Sequence, residues 1–360
     1  MSSFFRLAFH VDYDYQISTG IGRYGLELMR AWMRLGYDLE VWKWRYAKKL
    51  PPLEEGLESR SHYFPYPQRL SKYVWPRVAA KLRGVDWVHS ANCDLLPVNP
   101  VFRQICMVHD LGPVKLGHMK PDWETRMWRK RLDLVARRAD CIAVNSRCTM
   151  NELLEAYPET EGRVFLTPLG IDHFTMKGKS TESGSHLLAV GTVEPRKNVD
   201  GLLRAMAVLR DRGETPPLVI AGKDGYRAQE YHRLCTELAL DDQVTFNGYV
   251  SDRELAELYA NALCLVHVAH HEGFGIPVPE AFTWGLPVVA SNVGGIGEFF
   301  SEAAWMVDPG DTESVAAGIE QALQQGVTDV QKQTRERLRS ELTWKECALR
   351  TAEALEIMSR

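Results

Sequence analysis

The 360-residue sequence predicts an α/β protein made of two doubly wound, Rossmann-like domains in tandem. Three observations carry that reading. Apolar runs of strand length alternate with stretches of helical period along almost the whole chain. A stretch poor in large apolar residues, Thr175–His186 (TMKGKSTESGSH), interrupts the alternation near its middle. The length suits about two domains of ordinary size.

Taken in order, the strands of the first half are expected at Leu7–Val11, Leu39–Trp44, Val85–His89, Gln104–His109, Cys141–Asn145 and Val164–Thr167. Gly22–Leu35 repeats apolar residues at helical spacing and stops at Gly36, and Pro121–Arg138 starts at a proline and carries a basic outer face. These are βα units, and they define a domain over residues 1–174. After the linker at 175–186 the alternation restarts, with strands expected at Leu187–Gly191, Leu218–Ala221, Val244–Phe246, Cys264–Val268, Val288–Ser291 and Ala304–Val307. Helices are expected at Asn198–Arg212, Asp252–Ala262 and Thr312–Gln325, completing a second domain over 187–342. In Trp344–Met358 the residues Trp344, Ala348, Ala352 and Leu355 share one helical stripe, so the tail 343–360 needs a surface and is expected to pack back on the first domain. In tandem doubly wound domains the carboxyl ends of two parallel sheets are expected to face each other across a cleft, where ligands of such sheets bind.

The composition, 45% hydrophobic and 25% charged, excludes a disordered chain. Seven scattered cysteines without a CxxC or a Cys/His cluster exclude a disulfide scaffold and a structural zinc site, and favour a reducing compartment. The N-terminal apolar stretch is broken by Arg6, His10 and Asp12, which argues against a signal peptide or a membrane span. A cytoplasmic location is the expectation. The net charge of -4 conceals an asymmetry: residues 1–170 hold 25 Lys+Arg against 19 Asp+Glu, and the remainder is acidic. Seven of the ten tryptophans (Trp32, Trp42, Trp44, Trp75, Trp87, Trp123, Trp128) lie in the basic half. The mixture suits peripheral contact with an anionic membrane, and equally suits core and rim tryptophans on a mildly charged domain. The segment 120–138, with Trp123 and Trp128 among its cations, concentrates both features.

The densest chemical signal is HEGFGIPVPEAFTWGLPVVAS at 271–291. Glu272 and Glu280 flank a turn that ends at Pro277, a natural first residue of a helix. A carboxylate there can accept two hydrogen bonds from a vicinal diol, as a ribose presents. Gly273 and Gly275 flank Phe274 and remove side chains where backbone amides approach a sugar or phosphate oxygen. Taken singly, Glu280 also suits a carboxylate at a helix start and the glycines suit ordinary turns. A second string, VGTVEPRKN at 190–198, sets Arg196 and Lys197 at a strand-to-helix turn, where a diphosphate is the expected occupant.

In STGIGRYGLEL, at 18–28, Gly20 and Gly22 permit a tight turn after the first strand, but the spacing is not that of a dinucleotide-binding loop. VHDLGP, at 108–113, sets His109 and Asp110 at the end of a strand. Asp12-Tyr13-Asp14 matches a three-residue DxD pattern of metal-dependent nucleotide binding, and His267, His270 and His271 suggest a metal only superficially, since no HExxH accompanies them. No metal site is expected.

Together these strings resemble the family 4 retaining glycosyltransferases of the GT-B fold, over nearly the whole chain. The family pattern Glu, Gly, Phe, Gly, four residues, Glu, Ala falls on Glu272, Gly273, Phe274, Gly275, Glu280 and Ala281, flanked by GYVSDRELAELYANA at 248–262 and GGIGEFF at 294–300, with Glu298 where the family carries a Glu. The resemblance implies that Glu272 lies beside the donor sugar, that the 273–275 loop donates amides to it, and that Glu280 holds the nucleotide ribose. It implies a donor-sugar contact for His109 and places Gly20 and Gly22 near donor phosphate and acceptor. Lys197 matches the family lysine, whereas Thr192 stands where the family carries Arg, making Arg196 the candidate to supply that guanidinium.

The expected activity is transfer of a hexose with retention, from a nucleoside diphosphate sugar to a saccharide or lipid-linked saccharide hydroxyl in polysaccharide or glycoconjugate assembly. The resemblance implies no cofactor, no metal and no nucleic-acid partner. The EPRKN string is similar to those of many mannosyltransferases and tilts the donor towards GDP-mannose. Acceptor choice is assigned to first-domain loops such as 45–75. The alternatives are a sugar-nucleotide-binding subunit with degenerate chemistry, for which Thr192 speaks, and an epimerase or phosphorylase on the same fold, which the Glu272/Glu280 string disfavours.

Overall fold

Two all-parallel sheets organise the chain in the computed structural model, which describes residues 5–11, 20–44, 55–64, 84–96, 102–173, 184–213 and 215–360. Two compact units result. The first comprises residues up to His109, Met127–His173 and Leu342–Arg360; the second comprises Asp110–Arg126 and Phe174–Glu341. The division does not follow chain order, because 110–126 clusters with the second unit and the C-terminal helix with the first. Most of the linker expected at 175–186 lies outside the described residues, as do Asp12, Asp14 and much of the 45–75 segment.

In the first unit β1 (Arg6–Val11), β2 (Asp38–Trp44), β3 (Ser61–Phe64), β4 (Trp87–Ser90), β5 (Arg103–Val108), β6 (Cys141–Val144) and β7 (Val164–Leu166) lie in the order β3-β2-β1-β4-β5-β6-β7. The strand β3 has no counterpart among the strands expected from the sequence. It is a short edge strand, SHYF, whose central residues are exposed, so no apolar run announces it. The strands β1, β4, β5 and β6 are buried nearly throughout, as a sheet covered on both faces requires.

The C-terminal helix Trp344–Ser359 packs against Gly20–Arg34 within this unit. Its buried stripe includes Trp344, Ala348, Ala352 and Leu355. The Trp32 indole donates to the Ala348 carbonyl at 3.3 Å, and the Trp344 amide donates to Asp172 at 2.8 Å. A Cβ on Gly170 would lie 2.3 Å from the Trp344 nitrogen, so this contact admits only glycine.

In the second unit β8 (His186–Val190), β9 (Leu218–Ala221), β10 (Val244–Gly248), β11 (Ala262–His267), β12 (Val288–Ser291) and β13 (Trp305–Val307) run β10-β9-β8-β11-β12-β13. Winding reverses between β8 and β11, which pair directly with Leu188 opposite Leu265. Such a reversal is the topological switch point at which ligands of doubly wound sheets bind.

The helix Asp329–Glu341 was also unanticipated, because its buried face is Gln331, Thr334, Arg335 and Leu338 and apolar periodicity is silent there. Arg335 fastens it. Its guanidinium donates to the carbonyls of Ala303 and Leu286, both at 2.9 Å, and lies 4.2 Å from the Phe282 ring centroid.

Burial bears on the two composition readings that the sequence left open. Trp32, Trp42 and Trp87 are core residues, so much of the tryptophan excess fills the interior of the first unit. In the helix Asp122–Arg138, Trp123 is 63% exposed. Two of the segment's cations are engaged instead of forming a free basic face: Lys120 pairs with Glu194, and Arg131 pairs with Asp94 and covers Trp128. Six of the seven cysteines are buried and all are free thiols. Among the described residues no helix is long and apolar enough to cross a membrane.

Candidate active site

The switch point of the second sheet is where the two strongest sequence strings meet. After β8 the chain passes through Gly191, at φ +147°, and packs against the segment after β9 so closely that a Cβ on Gly222 would lie 1.9 Å from the Gly191 carbonyl. A turn of 3-10 helix, Pro195–Lys197, then presents Arg196 and Lys197, and Asn198 in the left-handed conformation redirects the chain into the helix Val199–Arg212. After β11 the chain runs to Glu272. Both cations reach one oxygen of that carboxylate, the Lys197 ammonium at 2.6 Å and the Arg196 guanidinium at 3.1 Å. The sequence assigned all three residues to the site separately; the fold brings them into one cluster.

Glu272 is about 14% exposed. Burial alone would raise its pKa, but Lys197 and then Arg196 outweigh that and hold the carboxyl well below the ordinary carboxylate range. His267, on β11, lies 3.7 Å from Glu272, too far for a hydrogen bond. Burial, reinforced by Lys197, lowers its pKa, so it is neutral near pH 7. A pocket of about 370 Å³, its open mouth included, is lined by Gly191, Thr192, Lys197, His267, Ala269 and apolar residues beneath them.

Gly273, Phe274 and Gly275 are all buried. Phe274 does not present its ring to a ligand, because it packs against Phe299 and Phe300 with centroids 5.3 and 5.5 Å away. That leaves its main chain toward a ligand, the part of the loop that the resemblance assigns to the donor. Gly275, at φ +82°, lets the loop turn into the helix Pro277–Thr283. The loop also touches the start of the helix Gly294–Phe300: a Cβ on Gly294 would meet the Glu272 carbonyl at 2.0 Å, and one on Gly295 the Gly273 carbonyl at 1.9 Å. The Gly295 amide donates to the Glu272 carbonyl at 3.0 Å. Glu298, farther along, is exposed.

Glu280, expected to hold a ribose, is 5% exposed. The Tyr259 hydroxyl donates to its carboxylate at 2.9 Å, a contact that explains how a carboxylate tolerates that burial. Tyr259 went unnoticed in the sequence, although it stands in the quoted string 248–262.

Three further participants, Glu194, Lys120 and Asp110, were hidden in strings read for other purposes. Glu194, 5% exposed, accepts from the Arg196 Nε at 3.3 Å and from the Lys120 ammonium at 2.6 Å. Burial works against ionisation, but Arg196 and Lys120 prevail and lower its pKa. Asp110 accepts from the Gly112 amide at 2.8 Å, and with Glu272 and Glu194 it pushes the Arg196 pKa upward against burial. The cluster therefore holds three cations, Lys120, Arg196 and Lys197, and three carboxylates, Asp110, Glu194 and Glu272. Among the described residues no group of three or more His, Cys, Asp or Glu is arranged to hold a metal ion.

The remaining expected residues lie in the first unit. Gly20 is exposed at the first position of the helix Gly20–Arg34, and Gly22 is buried one turn in. His109 follows β5, half-buried, with its Nε2 at 2.8 Å from the Ala91 carbonyl. A carbonyl only accepts, so Nε2 carries a proton. The His109 ring meets Tyr24 edge-on at 5.2 Å, and the Tyr24 hydroxyl is 3.0 Å from His89 Nε2. Burial, helped by His109, lowers His89 to about 3.

Two Rossmann-like units, the second with paired cations and carboxylates at its switch point, suit an enzyme that handles an anionic ligand, and comparison with known proteins gives the class. The model of glycosyl transferases group 1 matches residues 174–341, and that of glycosyltransferase family 4 matches residues 18–173. The chain is 27% identical over 336 residues to O-antigen chain mannosyltransferase B of Escherichia coli, covering 85% of this chain and 87% of that protein. It is 30% identical over 350 residues to D-inositol 3-phosphate glycosyltransferase 2 of Catenulispora acidiphila, covering 83% and 81%. Sucrose-phosphate synthase from Thermosynechococcus elongatus shares the fold with a TM-score of 0.74 at 21% identity, over 97% of this chain and 98% of that one. The protein belongs to the family 4 glycosyltransferases of the GT-B fold.

Proposed function

We propose that this glycosyltransferase moves a hexose, with mannose from GDP-mannose favoured, to a hydroxyl of a saccharide or lipid-linked saccharide, with retention of anomeric configuration and without a metal ion. The observation that carries the proposal is the convergence of Arg196 and Lys197 on Glu272 at the switch point of the second sheet. Two cations at a strand-to-helix turn suit a diphosphate, and they stabilise the charge that develops on it as the glycosidic bond to phosphate breaks. With that neutralisation supplied by side chains, no divalent ion is required. The acceptor hydroxyl attacks the anomeric carbon on the face the diphosphate leaves, and the departing phosphate oxygen takes the hydroxyl proton.

Glu272 is assigned to the donor sugar rather than to nucleophilic attack, because its pairing with two cations holds it as a poorly nucleophilic, fixed carboxylate. Glu280 is assigned to the ribose diol, the main chain of Gly273, Phe274 and Gly275 to sugar and phosphate oxygens, and His109, Gly20 and Gly22 to donor and acceptor contacts from the first unit. The names of the relatives support mannose and a role in polysaccharide assembly. A cytoplasmic site of action, peripheral to an anionic membrane, suits a lipid-linked acceptor.

A thermal-shift screen of nucleoside diphosphates and their sugars, with chelator present, tests the donor assignment. A ligand at 100 times its Kd adds about 2.7 kcal/mol to the stability of the folded state, so a guanosine compound raises Tm most on this reading. A shift only with uridine compounds overturns the mannose assignment, and a shift with none overturns the nucleotide site.

A further inference from the structure

Glu194 poses a problem for a diphosphate site. It is a carboxylate, 5% exposed, and beside an anionic ligand it opposes binding by Coulomb repulsion. Nor is it a helix cap: it precedes the turn Pro195–Lys197, yet its side chain makes no capping hydrogen bond. Both carboxylate oxygens are instead given to cations, Oε1 to Arg196 Nε and Oε2 to the Lys120 ammonium.

Arg196 is thereby held at two ends. Its Nε edge faces Glu194, while Nη1 donates to Glu272 at 3.1 Å and to the His271 carbonyl at 3.2 Å. A guanidinium is a planar fork, so fixing two edges fixes the direction of the donors that remain. The same segment that supplies Lys120 lines the other side of the Arg196 stem, since a Cβ on Gly112 would lie 3.3 Å from Arg196 Cδ. Lys120 also pairs with Glu124 at 3.3 Å, one turn along.

We infer that Glu194 is a positioning residue, which with Lys120 orients the Arg196 guanidinium for the diphosphate of the donor and so compensates for the arginine that Thr192 displaces. The inference rests on the donor-site reading above and adds a member to the site. Lys120 acts on the ligand only through Glu194, and Glu194 only through Arg196.

The sign of one substitution separates orientation from charge. Removing a negative group near a phosphate tightens binding if charge alone matters; it weakens binding if the group aims Arg196. GDP and UDP are titrated calorimetrically into the whole chain in wild-type form and as Glu194→Gln, Arg196→Gln and the double variant, with Tm as a control on folding. The inference expects about five- to tenfold weaker nucleotide binding in Glu194→Gln, with the double variant no weaker than Arg196→Gln alone. Lys120→Met, which leaves the site carboxylates intact, is expected to weaken binding in the same direction. Glu194→Gln affinity that is equal to or tighter than wild type overturns the inference, as does a double variant whose losses multiply. If wild type itself binds neither nucleotide, the donor-site reading fails first, and the role of Glu194 falls with it.

Discussion

Lys197 and Arg196 stand side by side in a turn of three residues, and their value to the site depends on the carboxylate they share. Lys197→Ala is expected to weaken nucleotide-sugar binding by about 1.5–3 kcal/mol, the worth of a hydrogen bond to a charged group. Because Lys197 is 15% exposed and paired, the same change also lowers Tm, leaving Arg196 as the neighbour that neutralises Glu272. Glu280→Gln is expected to weaken binding by a similar amount while retaining the Tyr259 contact. Equilibrium titration of both folded variants checks these values, and wild-type affinity in either contradicts its assignment. At this scale the family pattern made Glu272, Glu280 and Lys197 legible. Glu194 and Lys120 were not, because an ion pair between positions 74 apart leaves no local pattern; Lys120 read as one more cation on a basic helix.

At the scale of elements, glycines decide whether the donor loop and the helix Gly294–Phe300 can touch. Gly295→Ala drives a methyl to within 1.9 Å of the Gly273 carbonyl, a backbone atom that cannot step aside. The loop and helix are expected to part at a cost of roughly 1–3 kcal/mol, read as a lowered urea midpoint together with weakened nucleotide binding. Unchanged binding in that variant contradicts the coupling of loop to helix. In the first unit the strand β4 carries a different liability. His89, buried and lowered to about 3, stays neutral in the folded chain while its unfolded counterpart takes a proton below about 6.5. The unfolded state then binds more protons, so stability falls with acid between those two values, by about 1.4 kcal/mol per pH unit for this histidine. Urea unfolding at pH 7 and pH 5.5 is expected to show about 1 kcal/mol of that loss, because the window straddles the unfolded value, and His89→Gln to remove it. An identical slope in the variant contradicts the buried neutral histidine. Strands buried on both faces were legible from apolar runs alone, whereas β3 and the helix Asp329–Glu341 were not, since each buries a single large hydrophobic residue, Phe64 and Leu338, too few to make a pattern.

For the whole molecule, the sequence revealed two doubly wound units and their family, but not their membership: 110–126 clusters with the second unit although it precedes the linker. Such assignments depend on contacts distant in sequence, to which composition is blind. The charge asymmetry likewise overstated the basic face, because Lys120 and Arg131 are spent in ion pairs. Arg126, Arg129, Lys130, Arg137 and Arg138 remain exposed on the helix near Trp123. On the proposed membrane reading each basic residue at an anionic surface contributes up to about 1 kcal/mol. Sedimentation with anionic vesicles is expected to carry the protein down at low salt, with release at high salt and on neutralising Arg129 and Lys130 together. Equal recovery with neutral and anionic vesicles contradicts the membrane reading and favours a soluble acceptor.

On the proposed mechanism, side-chain cations gathered on Glu272 perform the charge stabilisation of sugar transfer. The most direct measurement follows labelled hexose from a panel of GDP- and UDP-sugars into membrane-extracted acceptors, with excess chelator present, for wild type and Lys197→Ala. Transfer by the wild type in chelator is expected, greatest from GDP-mannose, and at least about tenfold less by the variant. Transfer that vanishes in chelator and returns with magnesium or manganese, or that proceeds equally well without Lys197, contradicts the mechanism.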